Sequence, residues 1–264
     1  MNMNRAIIND IDVAYTVEGA GDPVVFIHGL AEDLHTWRAQ QRALGGRYRS
    51  FACDLRGHGM TTLGQCDGTL AQLGNDLLAF IGQVSGPATV VGFSLGGAIA
   101  LWAAAERPDL VRKSVVLGTS SVVGHLAVQF YEERIAQAAD TGSAAFREAM
   151  RADTEAGLFR ARESLDRIVA ARLAAVGDGR GYVNAARAMM GLRAEPLTPR
   201  LSRIETPVVV IGAEHDRFCP QKAATILLEA LPGAEFMAIP DAGHLMNVDN
   251  PDAVTRALRQ ALAD

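Results

Sequence analysis

The sequence has few of the features that mark secreted, metal-binding or membrane-spanning proteins. Its 264 residues include three cysteines, Cys53, Cys66 and Cys219, whose scattered positions fit neither a disulfide framework nor metal-ligand spacing. No stretch reaches the roughly 18 apolar residues that a membrane span requires. The N-terminus also lacks the basic segment and long apolar run of a signal peptide. We therefore expect a cytoplasmic protein with no metal site and no membrane partner.

Long basic segments and dinucleotide-binding glycine motifs are missing as well. Lysine and arginine total 25 against 30 acidic residues, which gives a net charge of −5, and the arginines are interleaved with acidic side chains. Nucleic acid is therefore not an expected partner. Gly19, Gly21 and Gly29 do not form the G-x-G-x-x-G pattern at the first parallel strand. Nothing in these patterns predicts a cofactor.

Short apolar runs alternate with longer helical patterns along most of the chain. Residues 5–9 and 11–17 predict a hairpin around Asn9-Asp10. Six further runs, mostly apolar as in strands buried on both faces, predict strands at 24–28, 48–54, 88–93, 113–118, 206–212 and 234–239. Helical patterns lie near 34–44, 69–84, 95–106, 219–231 and 250–262. The alternation predicts an α/β fold, with a mostly parallel eight-stranded sheet and helices on both faces.

One long region contains no strand-like run. Between residues 122 and 200 the apolar side chains recur at helical spacing, and glycines punctuate the pattern. We predict that this region is an inserted helical cap, or lid, of about four helices. Residues 1–121 and 201–264 would then form the α/β core, and cap and core would pack as one unit.

The strongest chemical signal is the segment Gly92-Phe93-Ser94-Leu95-Gly96-Gly97, which follows a strand and opens a helix. A serine on so sharp a turn has strained backbone angles, and the flanking glycines leave room for the chain to reverse. The turn would lift the Ser94 hydroxyl clear of the sheet, at the positive end of the following helix. A glycine-rich turn with a helix-capping serine is the alternative, which the preceding apolar strand disfavours. The sequence predicts Ser94 as a nucleophile.

Two further groups are needed, because a serine hydroxyl is a poor nucleophile near pH 7 without a base and an orienting acid. In this type of fold the acid and then the histidine follow the serine along the chain. Asp216 and His244 each follow one of the last two predicted strands, so both would lie at the same sheet edge as Ser94. Glu214 and Asp241 are rival carboxylates, but Glu214 is too close to its strand end and Asp241 too close to His244.

Other histidines near these motifs are expected to be structural or, for His215, solvated or packed against neighbours. His215 neighbours the predicted acid, and His58 lies in the turn after the strand 48–54. His28 precedes Gly29 and Leu30, directly after the strand 24–28. Gly29 would let the backbone turn past the nucleophile, so that the N–H groups of Leu30 and Leu95 form an oxyanion hole.

The whole chain resembles the α/β-hydrolase superfamily. The resemblance rests on the order and spacing of five segments: HGL at 28–30, DLRGHG at 54–59, GFSLGG at 92–97, GAEHD at 212–216 and GH at 243–244. It implies an α/β-hydrolase fold and a Ser94, Asp216 and His244 triad, with the cap inserted after the sixth strand.

Within the superfamily the chain is similar to the 3-oxoadipate enol-lactonase group. The segment 29–37, the compact cap and Gly181-Tyr182 before a cap helix carry this similarity. Those enzymes often have a polar Asn-Ser pair where this chain has His28-Gly29. The similarity implies hydrolysis of a small carboxylated lactone.

We expect an acyl-enzyme mechanism on a small carboxylic ester or lactone, enol-lactones included, catalysed by a monomer or homodimer. Two alternatives stay open. One is a carbon–carbon bond hydrolase that uses the same triad. The other is a ligand receptor or regulator whose vestigial triad turns over slowly.

The substrate pocket is expected between the sheet edge and the cap. Candidate lining residues are Leu30, Phe93, Trp102, Phe130, Met189, Met190 and Leu245. The three cap residues among them could equally pack the cap on itself, and Trp102 is favoured as a core residue. Arg187 and Arg193 are candidate partners for a substrate carboxylate, although solvated positions are favoured for both.

Overall fold

The first two strands form the hairpin that the sequence predicts. In the computed structural model, which describes residues 3–263, β1 (Met3–Ile8) pairs antiparallel with β2 (Ile11–Glu18). Asn9 in the connecting turn has φ 52°, a left-handed conformation that asparagine tolerates better than most residues.

Six more strands complete one eight-stranded sheet. They are β3 (Asp22–Ile27), β4 (Tyr48–Cys53), β5 (Ala88–Phe93), β6 (Val111–Leu117), β7 (Val208–Ala213) and β8 (Glu235–Ile239). The order is β1-β2-β4-β3-β5-β6-β7-β8. β2 pairs antiparallel with β4, and every pair from β4 to β8 is parallel. The predicted eight-stranded, mostly parallel sheet is confirmed.

The described residues include ten α-helices. They are α1 (Arg38–Leu44), α2 (Leu70–Phe80), α3 (Leu95–Glu106), α4 (His125–Gln137), α5 (Ala144–Gly157), α6 (Leu165–Val176), α7 (Arg180–Gly191), α8 (Gln221–Ala230), α9 (Met246–Asp249) and α10 (Pro251–Ala261). Two predicted helices are composite. A short 3₁₀ turn at Leu34–Trp37 precedes α1, and a π-helical turn at Ile81–Ser85 extends α2. None of these helices is both long and apolar enough to cross a bilayer.

Two apolar clusters lie on opposite faces of the sheet, because side chains alternate along each strand. On one face Val90 packs with α2 and α3, where α3 is buried along almost its whole length. On the other face Val91 packs with Trp37 and Leu258 of α10. Covering both faces explains why the central strands are mostly apolar.

Four helices, α4 to α7, lie between β6 and β7, and we call them the cap helices. Several hydrogen bonds attach them to the core. The Gly59 N–H donates to Ala175 O at 2.9 Å, and the Gly68 N–H donates to Asn184 Oδ1 at 2.8 Å. A third apolar cluster joins Phe146 of the cap helices to Ala31 of the core. The number of helices agrees with the sequence prediction, while the division of the chain into two domains stays a prediction.

Candidate active site

Ser94 occupies a strained turn between β5 and α3. Its backbone has φ 53° and ψ −113°, in a region that non-glycine residues rarely adopt. Gly92 and Gly96 make the turn possible. A Cβ on Gly92 would overlap the backbone of Gly96, and one on Gly96 would overlap the carbonyls of Ile27 and His28. The half-buried Ser94 therefore stands at the C-terminal edge of the sheet, directly before the first helical residue, Leu95.

The structure brings Ser94, His244 and Asp216 together from three separate segments. His244 Nε2 lies 3.1 Å from Ser94 Oγ, and His244 Nδ1 lies 2.8 Å from Asp216 Oδ2. Asp216 Oδ1 accepts hydrogen bonds from the N–H groups of Phe218 and Cys219, both at 2.8 Å. Asp216 is 6% exposed and His244 is 8% exposed. This geometry lets the imidazole accept the serine proton while the carboxylate holds the opposite ring nitrogen.

The rival groups lie at the surface. Glu214 and Asp241 are exposed and contact each other, since the Asp241 N–H donates to Glu214 Oε2 at 3.2 Å. His215 stacks on Phe159, with ring centroids 3.6 Å apart. Ligand atoms of Glu214, His215 and Asp241 lie within 4.8 Å of one another, but exposed groups of this kind are common without a bound ion. Asp216 is the carboxylate that contacts His244.

His28 fixes the peptide group that carries the Leu30 N–H. His28 Nε2 accepts a hydrogen bond from the Leu55 N–H at 2.9 Å, so the ring proton is on Nδ1, which lies 2.8 Å from Gly29 O. Burial lowers the pKa of His28 to about 3, which keeps the ring neutral and this pairing intact. In a trans peptide the N–H points away from the C=O. The His28 bond to Gly29 O therefore orients the Leu30 N–H.

The second N–H of the predicted oxyanion hole belongs to Leu95. It is the first residue of α3, and the first N–H groups of a helix have no partner within the helix. The roles of Leu30 and Leu95 stay predictions that this backbone arrangement supports.

Two ionisable residues that the sequence analysis did not single out flank the Leu30 loop. Glu32, 4% exposed, accepts a hydrogen bond from the Gly29 N–H at 3.2 Å, and burial raises its pKa. Arg172 of α6 donates to the carbonyls of Leu30 and Ala31, each at 3.4 Å. Ala31 has φ 60°, so these bonds hold a strained segment. The spacing of positions 32 and 172 in the sequence gives no sign that both side chains contact the Leu30 loop.

Aromatic side chains surround the imidazole. The Phe93 ring lies 4.9 Å from the His244 ring, and the Phe218 ring lies 5.2 Å from it. Phe130 of α4 contacts Phe218, with centroids 6.0 Å apart. Phe218 was missed because it lies in a polar loop. Leu245 is buried beside Gly157 of α5.

The other predicted pocket residues lie in different surroundings. Met189 is buried in the apolar cluster that contains α3, and Met190 is half-buried. Trp102 packs its ring on Gly74 of α2. It therefore lies in the core, the position that the sequence analysis favours. Arg187 and Arg193 are both exposed. The pocket roles of Met189 and Met190 stay predictions.

Comparison with known proteins places the chain in a family. Residues 22–251 match the family described as the alpha/beta hydrolase fold. The chain belongs to the α/β-hydrolase family. The BpoC protein of Mycobacterium tuberculosis, named as a candidate non-heme bromoperoxidase, is 32% identical, with 96% of this chain and 98% of that protein covered.

Two further relatives align with this α/β hydrolase over nearly its whole length. The 3-oxoadipate enol-lactonase 2 of Acinetobacter baylyi is 25% identical over 96% of this chain and 94% of its own, which agrees with the resemblance seen in the sequence. A crystal structure of a hydrolase from Pseudomonas aeruginosa superposes with a TM-score of 0.88 and 27% identity, covering 100% of this chain and 99% of that chain. The chain is accordingly a hydrolase of this fold.

The buried side chain of His58, whose ring lies 5.4 Å from that of His28, makes the free energy of unfolding depend on pH. His58 Nδ1 lies 3.2 Å from Arg56 O, and Nε2 has no hydrogen-bond partner within residues 3–263. Burial lowers the pKa of His58 from its usual 6.5 to about 4. Between pH 6.5 and 4 the imidazole of residue 58 is therefore protonated in the unfolded chain but not in the folded protein. The free energy of unfolding falls as the pH drops below 6.5.

We predict that His58→Gln reduces this pH dependence. Between pH 6 and 5 the wild-type free energy of unfolding should fall more steeply than that of the variant, by about 1 kcal/mol per pH unit, because one proton separates the two states. Urea unfolding at several pH values measures both slopes. His35→Gln, at an exposed position, is the control and should keep the wild-type slope. Equal slopes for wild type and His58→Gln would contradict the prediction.

Proposed function

We propose that this α/β hydrolase cleaves a small carboxylic ester or lactone through an acyl-enzyme on Ser94. The observation that carries the proposal is the continuous hydrogen-bond chain from Ser94 Oγ through His244 to Asp216. A serine next to a helix N-terminus and an imidazole oriented by a carboxylate is the arrangement that acyl transfer requires.

Each step has a residue to perform it. Ser94 Oγ attacks the carbonyl carbon while His244 Nε2 takes its proton, and the N–H groups of Leu30 and Leu95 stabilise the oxyanion. His244 then protonates the leaving oxygen as the tetrahedral intermediate collapses. Water, activated by the same imidazole, attacks the acyl group and releases the acid. Asp216 stabilises the imidazolium without accepting its proton, and the steps require no cofactor.

The surroundings of the triad support a substrate whose acyl group is uncharged. Phe93, Phe130 and Phe218 contribute apolar surface, and two arginines of the cap helices are already partnered. Arg134 makes two bonds of 2.7 Å to Asp153 and lies 4.8 Å above the Phe130 ring. Arg172 is bonded to the Leu30 loop. The named lactonase among the relatives supports a lactone ring, whereas the apolar surroundings and the partnered arginines favour an uncharged acyl group over the carboxylated one that the sequence similarity implies.

Ser94→Ala tests the nucleophile. We expect p-nitrophenyl acetate hydrolysis to lose on the order of 10⁶ in kcat, because the variant cannot form the acyl-enzyme. A fluorophosphonate probe should label the wild type and not the variant. Circular dichroism should show an unchanged fold, because removing the half-buried hydroxyl removes its hydrogen bond to His244 and leaves the backbone of the turn intact. Failure of wild-type Ser94 to label in the folded protein would overturn the proposal.

The same assay distinguishes the proposed ester or lactone hydrolysis from the two alternative functions. Labelling of Ser94 with negligible turnover of esters and lactones would favour a slow receptor, or a carbon–carbon bond hydrolase acting on a different substrate.

Asp216→Asn tests the orienting acid. We expect kcat to fall on the order of 10⁴, less than for Ser94→Ala, because residual stabilisation of the transition state remains. Asp241→Asn is the matched control, since this exposed carboxylate lies in the neighbouring loop. A normal rate for Asp216→Asn, or an equal loss for Asp241→Asn, would assign the role to another carboxylate.

A further inference from the structure

The backbone on both sides of His244 is held by groups outside the triad. The Gly243 N–H donates to Asp249 Oδ2 at 2.7 Å. The Leu245 N–H donates to the carbonyl of Gly157, the last residue of cap helix α5, at 2.9 Å. The position of the imidazole therefore depends on one carboxylate and on one carbonyl of the cap helices.

Asp249 itself binds the cap. Its Oδ2 also accepts the Phe159 N–H at 2.9 Å, and its Oδ1 accepts the N–H groups of Arg160 and Ala161 at 2.8 and 2.7 Å. Asp249 is 2% exposed. A buried carboxylate with four backbone donors makes strong, charge-assisted hydrogen bonds. The side chain joins the segment 157–161, which we call the cap turn, to the loop that carries His244.

The backbone of the cap turn also packs directly against the loop that carries His244. A Cβ on Gly243 would overlap the carbonyl of Gly157, so the two backbones are in direct contact. Movement of the cap turn would therefore displace the residues next to His244.

We infer that Asp249 is a positioning residue, through which the cap turn sets the distance between His244 and Ser94. The inference rests on the proposed function. His244 Nε2 lies 3.1 Å from Ser94 Oγ, near the limit of proton transfer by a direct hydrogen bond. A misplacement of about 1 Å in such a site can cost about 10²-fold in rate. Asp249 touches neither substrate nor nucleophile, so its effect should be on kcat.

Asp249→Asn removes the charge and turns an amide towards N–H donors. We expect kcat for p-nitrophenyl acetate to fall about 10²-fold with little change in KM. In proton NMR spectra, the downfield resonance of the His244 Nδ1–H should shift or broaden, because its bond to Asp216 is no longer held in place. Asp249→Glu keeps the charge and should recover part of both losses.

Asn184→Ala is the matched control. Asn184 is equally buried, and its side chain also links the cap to the core by accepting the Gly68 N–H and donating to Gln72 Oε1. Asn184 belongs to α7, whereas the cap turn follows α5. We expect similar destabilisation but an unchanged kcat and an unchanged His244 resonance. If Asn184→Ala lowers kcat as much as Asp249→Asn, Asp249 only stabilises the fold and the inference is wrong.

Two results distinguish a failure of this inference from a failure of the proposed function. A folded Asp249→Asn with a wild-type His244 resonance overturns the inference whether or not esters are hydrolysed. A wild type that hydrolyses no ester, combined with a shifted resonance in the variant, contradicts the function but leaves the positioning intact.

If neither Asp249 variant folds, amide exchange in the wild type decides. The amides of Phe159, Arg160, Ala161 and Gly243 should then open with one common free energy, and independent opening of Gly243 would overturn the inference.

Discussion

The proposed chemistry of this α/β hydrolase depends on the hydrogen bond between His244 Nε2 and Ser94 Oγ. The two residues are far apart in sequence and come from different strand ends, so only the parallel sheet can bring them together. Parallel strands end at a common edge, and β5, β7 and β8 all deliver their loops there. The apolar faces on both sides of the sheet hold these strands in register, which in turn holds the bond.

Buried carboxyl groups near this edge orient backbone groups. Asp216 binds two N–H groups and the imidazole, Glu32 binds the Gly29 N–H, and Asp249 binds four N–H groups. Each carboxylate is costly to bury unless its hydrogen bonds are satisfied. Arg172 and Asp249 both connect the cap helices to the loops beside Ser94. The cap is therefore joined to the site by hydrogen bonds as well as by apolar contact.

The sequence predicted the parts of the molecule that depend on local patterns. The sheet, the four helices between β6 and β7 and the turn at Ser94 follow from apolar periodicity and from glycines around a strand end. Helix limits were less accurate, as in the separate turns before α1 and after α2, since these depend on packing. Glu32 and Arg172 were not predicted, because their contacts join distant segments and leave no spacing in the chain.

Around the triad, too, the sequence predicts residues close to a motif but not those placed by tertiary packing. Phe93 adjoins the nucleophile in sequence, and the structure places it beside His244. Phe218 could not be assigned, because its contact with Phe130 depends on how the cap helices sit on the sheet. Tertiary packing, which no periodicity records, therefore decides the shape of the substrate site.

Trapping of the acyl-enzyme tests the central claim most directly. The wild-type protein would be mixed with an activated ester of a bulky, slowly released acyl group, quenched in acid within the first turnover and digested for mass spectrometry. We expect one acyl group per chain, attached to Ser94, which disappears as product acid accumulates. Product formation without an adduct on Ser94, or with the acyl group on another residue, would contradict it.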